Sequence, residues 1–107
     1  MAELQWDRTA AQADTAGDAT LLEELLILFR EAAATDLDLL RQAVAEEDGA
    51  AAVAAAHSLK GAAASLGVES ISSLAEAVER SGPTGAIPIA RKTLPLLADL
   101  LIQLNAL

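Results

Sequence analysis

The chain contains no cysteine and no tyrosine, and its 107 residues include one phenylalanine and one tryptophan. The absence of cysteine excludes disulfide bonds, thiol catalysis and cysteine-ligated zinc. Aromatic and β-branched residues, which favour sheets, are few, whereas alanine and leucine, which favour helices, are abundant. The composition therefore predicts an all-α protein, and the length predicts one domain with a single core.

Basic residues are also scarce. Seven lysines and arginines stand against sixteen aspartates and glutamates, which gives a net charge of −9. This charge repels nucleic acid and anionic lipid surfaces, so we expect neither as a partner. No run of about 18 apolar residues lacks a charge, so no membrane span is predicted. The N-terminus has neither the basic start nor the apolar run of a signal peptide, and we expect a cytoplasmic protein.

Apolar residues recur at intervals of three or four, which predicts an antiparallel four-helix bundle with a short additional N-terminal helix. The predicted bundle helices span about 18–47, 50–65, 69–81 and 86–105, and the N-terminal helix spans about 3–14. Asp18 is a suitable N-cap for the first bundle helix. Leu4 and Trp6 are predicted to pack the N-terminal helix across one end of the bundle.

Glycine and proline mark the predicted breaks between helices. Asp48 and Gly49 predict a short connection, with the glycine in a left-handed conformation and the aspartate as a cap. Gly67 is predicted to end the second bundle helix, and the run 81–85, Ser-Gly-Pro-Thr-Gly, is predicted to be a loop. Pro95 lies inside the last periodic stretch, which predicts either a kink one turn earlier or a later helix start.

The only histidine, His57, lies in the middle of the second predicted bundle helix. At about 100° per residue, Lys60 and Gly61 fall within about 60° of His57, whereas Leu59 and Leu66 fall near the opposite side. The histidine is therefore predicted to point away from the leucines. A second interpretation, a histidine packed at a helix interface with its nitrogens satisfied, stays open at this point.

Histidine is the side chain whose unperturbed pKa lies closest to neutrality, and the imidazole of His57 can act as a nucleophile. A metal site is not expected, because the chain has no second histidine, no cysteine and no ligand pair one turn away. A hydrolase triad is not expected either, because no Gly-x-Ser-x-Gly elbow occurs. Lys60 offers a cation for phosphoryl oxygens and Gly61 a bare backbone, although they could also be an ordinary surface lysine and a tight helix contact. Together the three residues predict a surface where a phosphoryl group is passed to a docked partner.

The run 56–61, Ala-His-Ser-Leu-Lys-Gly, and the later pair Leu66-Gly67 strongly resemble the signature of the histidine-containing phosphotransfer (HPt) domain. That signature reads Ala-His-x-Leu-Lys-Gly, with Leu-Gly or a similar pair closing the helix. Residues 25–29 and 37–43 and the turn at Asp48 resemble the family's long first bundle helix, and residues 74–76 resemble its third. The resemblance thus covers nearly the whole chain.

The resemblance implies a four-helix bundle whose exposed His57 accepts a phosphoryl group from the aspartyl-phosphate of a response-regulator receiver domain and passes it to another receiver. Lys60 would neutralise phosphoryl oxygens, and Gly61 would leave room for the receiver's loops. Glu79 would hydrogen-bond the other ring nitrogen and fix the tautomer, unless it lies on a solvated face. The implied partners are receiver domains and a hybrid sensor histidine kinase.

The protein is accordingly expected to be a phosphocarrier without a kinase active site or cofactor of its own, with Mg²⁺ held by the receiver. No Gly-x-x-x-x-Gly-Lys-Ser/Thr loop and no dinucleotide fingerprint occurs in the sequence. The receiver is predicted to dock around Val53, Ala54 and Ala64. Two alternatives are a helical adaptor that binds a receiver or kinase without carrying phosphate, and the phosphoacceptor domain of a larger chemotaxis-type kinase. Met1 and the lack of a linker favour a free-standing protein, and we expect a monomer.

Overall fold

Four helices form the fold in a computed structural model that describes residues 3–6 and 18–106. They are α1 (Ala19–Ala45), α2 (Gly49–Ser65), α3 (Glu69–Arg80) and α4 (Gly82–Asn105). The helices α1 and α3 each pack against both α2 and α4, and α2 also contacts α4. The predicted all-α helical bundle is confirmed. Over the described ranges, no helix combines the length and the apolar character that crossing a membrane requires.

The core is built from large residues on α1, α3 and α4 and from small residues on α2. Leu40, Ile71, Leu97 and Leu100 are among the largest fully buried side chains. The buried residues of α2 are mostly alanines, namely Ala52, Ala55, Ala56 and Ala63, together with Leu59. Alanine lets neighbouring helices approach the α2 backbone closely, so the helix that carries His57 is held against three others.

The predicted N-terminal helix is wrong over residues 3–6, which are not helical. The backbone N–H of Leu4 donates to Oε1 of Gln103 at 3.0 Å, and that of Gln5 donates to Oγ of Ser70 at 2.9 Å. These groups bond to side chains of α4 and α3 instead of forming a helical turn. Residues 7–14 of the prediction lie outside the described residues.

Leu4 and Trp6 nevertheless pack against the core, as predicted. The indole Nε1–H of Trp6 donates to the carbonyl oxygen of Leu66 at 2.9 Å, where α2 gives way to α3. The next residue, Gly67, has a φ of 72°, the left-handed conformation that commonly ends a helix. The N-terminal segment therefore holds the turn that closes the histidine helix.

The connection between α1 and α2 differs from its prediction in one residue. Asp48 caps α2 as expected, because its carboxylate accepts the backbone N–H of Ala51 at 3.1 Å. The left-handed residue is Glu47, with a φ of 53°, and Gly49 is already the first residue of α2. A Cβ atom at Gly49 would lie 1.7 Å from the carbonyl oxygen of Pro83. Glycine is needed here because α2 and α4 begin in close contact.

The predicted loop over residues 81–85 is wrong, because Ser81 alone separates α3 from α4. Gly82 takes a φ of 69°, which reverses the chain, and Pro83 follows in the first helical turn, where a missing N–H costs no helical bond. The later start considered for the last helix is also wrong. The helix continues through Pro95 as one element, and the kink before Pro95 stays a prediction.

Candidate functional site

His57 lies on the solvent side of α2. Its side chain is 72% exposed, whereas the neighbouring Ala56 is 0% and Leu59 is 3% exposed. The helical period produces this contrast, because buried positions alternate with exposed ones about every half turn. The exposure agrees with the prediction, and the alternative of a ring packed into a helix interface is wrong.

Glu79 of α3 connects the two charged or titratable residues of the α2 motif. Its Oε2 lies 2.6 Å from Nδ1 of His57, and its Oε1 lies 2.7 Å from Nζ of Lys60. Val78, the residue before it, is fully buried and faces the core, which places Glu79 at the edge of α3 beside α2. One carboxylate therefore bridges His57 and Lys60.

This bridge determines which ring nitrogen of His57 is free. The hydrogen bonds from Lys60 and His57 lower the pKa of Glu79 from its usual 4.5, so the group is a carboxylate at neutral pH. A carboxylate can only accept, so Nδ1 of His57 carries the hydrogen and donates it. The neutral ring then has its lone pair on Nε2, the nitrogen that can act as a nucleophile.

Lys60 is partly buried, with 29% of its side chain exposed, and its ammonium group is held by Glu79. It is therefore not an unattached surface lysine. From the sequence, Lys60 and Glu79 were each expected beside His57, but their contact with each other was not predicted. That contact depends on how α2 and α3 are aligned, which no local sequence pattern specifies.

Gly61 is exposed, and a Cβ atom built on it would meet no atom of residues 3–6 or 18–106 within 4 Å. The alternative of a tight helix contact is wrong for the four described helices, because none of the other three packs against Gly61. The glycine leaves an uncovered stretch of α2 backbone one turn after His57.

A buried pair on the other flank of α2 was missed by the sequence analysis. Asp36 of α1 is only 8% exposed, and its Oδ2 accepts a hydrogen bond from Oγ of Ser58 at 2.9 Å. Burial raises the pKa of Asp36, and the bond from Ser58 opposes the rise. A signal was present in the sequence, because Asp36 lies three residues after Ala33 and four before Leu40, on the apolar face of α1.

Together these residues form an open site with two different flanks. On one flank, α3 supplies Glu79, which holds Lys60 and Nδ1 of the ring. On the other flank, Gly61 leaves the surface bare and Ser58 joins α2 to α1. The arrangement presents a single nucleophilic nitrogen, Nε2 of His57, to a partner that approaches from solvent.

A comparison with protein-family models matches the Hpt domain over residues 24–107. The match contains α2, α3 and α4 entirely, and with them His57, Lys60, Gly61 and Glu79. Searches of curated proteins and of solved structures found no match. Because the family model covers most of the chain, this protein belongs to the Hpt family, whose domains serve as histidine phosphotransfer carriers in phosphorelays.

Proposed function

We propose that His57 accepts a phosphoryl group on Nε2 from the aspartyl-phosphate of a receiver domain and delivers it to the aspartate of a second receiver. The observation that carries this proposal is the commitment of Nδ1 to Glu79 at 2.6 Å on a ring that is 72% exposed. Hpt domains interact with response-regulator receivers and kinases in two-component systems, so membership of the family supplies the class of partner.

The proposed transfer of the phosphoryl group to Nε2 uses no cofactor bound to this chain. The lone pair of Nε2 attacks the phosphorus atom, an N–P bond forms, and the P–O bond to the donor carboxylate breaks. The ring becomes an imidazolium that keeps its hydrogen on Nδ1, and the Glu79 carboxylate stabilises that positive charge. Delivery to the second receiver reverses these steps, with its aspartate as the nucleophile.

Lys60 and Gly61 contribute to the approach of the phosphoryl group. Lys60 donates from its ammonium group to the same carboxylate that accepts from Nδ1 of His57, so a positive charge is held near the imidazole ring. Phosphoryl transfer depends mainly on positioning and on charge stabilisation, and this cation serves the second need. The open space above Gly61 admits the loops around the receiver's aspartate. The receiver would bring the Mg²⁺ ion.

The test is transfer of labelled phosphate from receiver domains that have been charged with acetyl phosphate. We expect the wild-type chain to take an acid-labile, alkali-stable label and His57→Gln to take none. Because His57 is the only histidine, a phosphohistidine signal in ³¹P NMR has one possible position. Labelling that persists in His57→Gln would refute the proposal, and receiver binding by an unlabelled wild-type chain would favour the adaptor alternative.

A further inference from the structure

A groove of about 410 Å³ runs between α1 and α2 beside the candidate site. From α1 it is lined by Leu39, whose side chain is half-exposed, and from α2 by Ala51, Ala54 and Ser58. Within the part of the chain that the structure describes, the apolar side chain of Leu39 is thus left half-exposed next to small side chains. A groove of this shape can receive side chains that project from a helix of a partner.

The groove opens on the uncovered flank of His57. At about 100° per residue, Gly61, Ala54 and Ser58 lie about 40°, 60° and 100° from His57, all in the same direction around α2. Lys60 lies in the opposite direction, where Glu79 of α3 holds it. A receiver that reaches His57 across Gly61 therefore extends over Ala54 and Ser58 and onto the groove.

The polar groups of the groove are mainly hydrogen-bond acceptors. Asp36 is 8% exposed and bonds Ser58 through one oxygen, while Glu46 lies at the groove with its carboxylate accepting the amide of Gln42 at 3.4 Å. Among the described residues that line the groove, none is a lysine, an arginine or a histidine. A buried carboxylate without a cation bears a desolvation cost, and burial does raise the pKa of Asp36. A positive charge from outside would offset that cost.

We infer that this groove selects among receiver domains by accepting an amphipathic helix that presents an apolar side chain to Leu39 and a lysine or arginine to Asp36. The inference rests on the proposed function, because it assumes that a receiver docks at His57. A long basic side chain suits the groove, since its aliphatic part can lie along the alanines while its charge meets the carboxylate. Asp36 is thus a specificity-determining residue that does not touch the phosphoryl group.

The decisive variant is Asp36→Asn, which preserves the size of the side chain and an oxygen that can accept the Ser58 hydrogen bond. Transfer from acetyl-phosphate-charged receivers is measured over a range of carrier concentrations, with receivers grouped by the presence of a basic residue on the docking helix. For the group with the basic residue we expect KM to rise about tenfold, the loss typical of one charge-assisted hydrogen bond, with kcat unchanged. The other group should show no change.

Asp38→Asn is the matched control, because it removes the same charge from the same helix at a side chain that is 76% exposed and pairs with Arg41. We expect its KM to equal that of the wild type. If KM rose equally in Asp36→Asn and Asp38→Asn, the rise would be due to the change in net charge, and the inference would be wrong. An unchanged KM in Asp36→Asn would also overturn the inference. Failure of the proposed function has a different result, namely that no receiver labels the wild-type chain.

A second variant tests the groove without altering its buried carboxylate. Ala54→Gln places a longer side chain at an exposed position of the groove and should raise KM for the same receivers. Ala34→Gln, at an exposed position on the other flank of α1, is its control. If Ala54→Gln leaves KM unchanged but abolishes a concentration-dependent dimer in sedimentation, the groove binds a second copy of the chain and the inference is wrong.

Discussion

At the scale of single residues, Glu79 determines which ring nitrogen of His57 is free to react. A histidine alone on a helix can react through either nitrogen, because the two neutral tautomers differ little in energy in water. The bond from Nδ1 to Glu79 removes this ambiguity, and the bond from Lys60 to the same carboxylate keeps a cation next to the ring. Orientation of the nucleophile and placement of the charge thus depend on one side chain.

Replacement of Glu79 by glutamine should therefore slow phosphorylation of His57. We expect a loss on the order of tenfold, the effect that orienting partners have on metal-binding histidines. The tautomer can be followed by ¹⁵N NMR of the single imidazole, which should change from hydrogen on Nδ1 to a mixture. Glu76→Gln, one turn earlier at an exposed position of α3, is the control. An unchanged rate together with an unchanged tautomer would exclude an orienting role for Glu79.

The same carboxylate also predicts a pH dependence of stability. Because the pKa of Glu79 is lowered from 4.5 in the folded state, its contribution to the free energy of unfolding is complete above that value. The contribution is lost as the pH falls through the lowered pKa, where the carboxyl group becomes protonated and releases its partners. The stability difference between the wild type and Glu79→Gln should accordingly shrink in this acid range and stay constant above it.

At the scale of helices, the sequence predicted the interior of each helix better than its ends. Periodic apolar residues such as Phe29, Ala33 and Leu40 identify the buried face of α1, because a helix repeats every 3.6 residues. The run 81–85 has the composition of a loop, yet Gly82 and Pro83 begin a helix, since a glycine reversal followed by an early proline suits a helix start equally well. The composition of this run alone does not distinguish a loop from the start of a helix.

The close contact between the first residues of α2 and α4 gives a prediction at this scale. Gly49→Ala should lower the free energy of unfolding by about 1–3 kcal/mol, because its Cβ would overlap the carbonyl group of Pro83 and the two helices would have to separate. Gly61→Ala is the matched control, and it should be neutral or gain about 0.5–1 kcal/mol, since its Cβ meets open space in a helix interior. Urea unfolding followed by circular dichroism measures both. Equal effects would contradict the close approach at Gly49.

At the scale of the whole molecule, the features of the candidate site that were hard to predict from the sequence are contacts between segments that lie far apart in the chain. The exposure of His57 followed from angles within one helix, and its bond to Glu79, 22 positions away, was expected only from the resemblance to the Hpt domain. The contact between Lys60 and Glu79, 19 positions apart, and the bond between Ser58 and Asp36, 22 positions apart, were not predicted. Both require the alignment of α2 with a neighbouring helix, which the packing of many core residues sets. The histidine, its motif and its Glu79 partner were therefore within reach of the sequence and its resemblance, whereas the Lys60–Glu79 contact and the buried Asp36–Ser58 pair were not.

The N-terminal segment supplies a prediction for the bundle as a whole. Trp6→Phe keeps an aromatic ring against the core but removes the indole N–H that bonds the Leu66 carbonyl. We expect a loss of about 1 kcal/mol in the free energy of unfolding, the usual contribution of one hydrogen bond. Phosphorylation of His57 should continue at the wild-type rate, because the indole bonds the chain beyond the end of α2. Thermal unfolding and the transfer assay together check this, and a slowed transfer would contradict it.

The alanine face of α2 bears on how the protein transmits a signal. A switch needs two arrangements of a helix that differ little in energy, and large adaptable side chains are what allow a helix to shift between them. Ala52, Ala56 and Ala63 are fully buried and have no side-chain rotamers to exchange. We therefore expect the phosphorylated and unphosphorylated forms to have the same backbone conformation. The protein then passes the signal on as a covalently bound phosphoryl group and not as a conformational change.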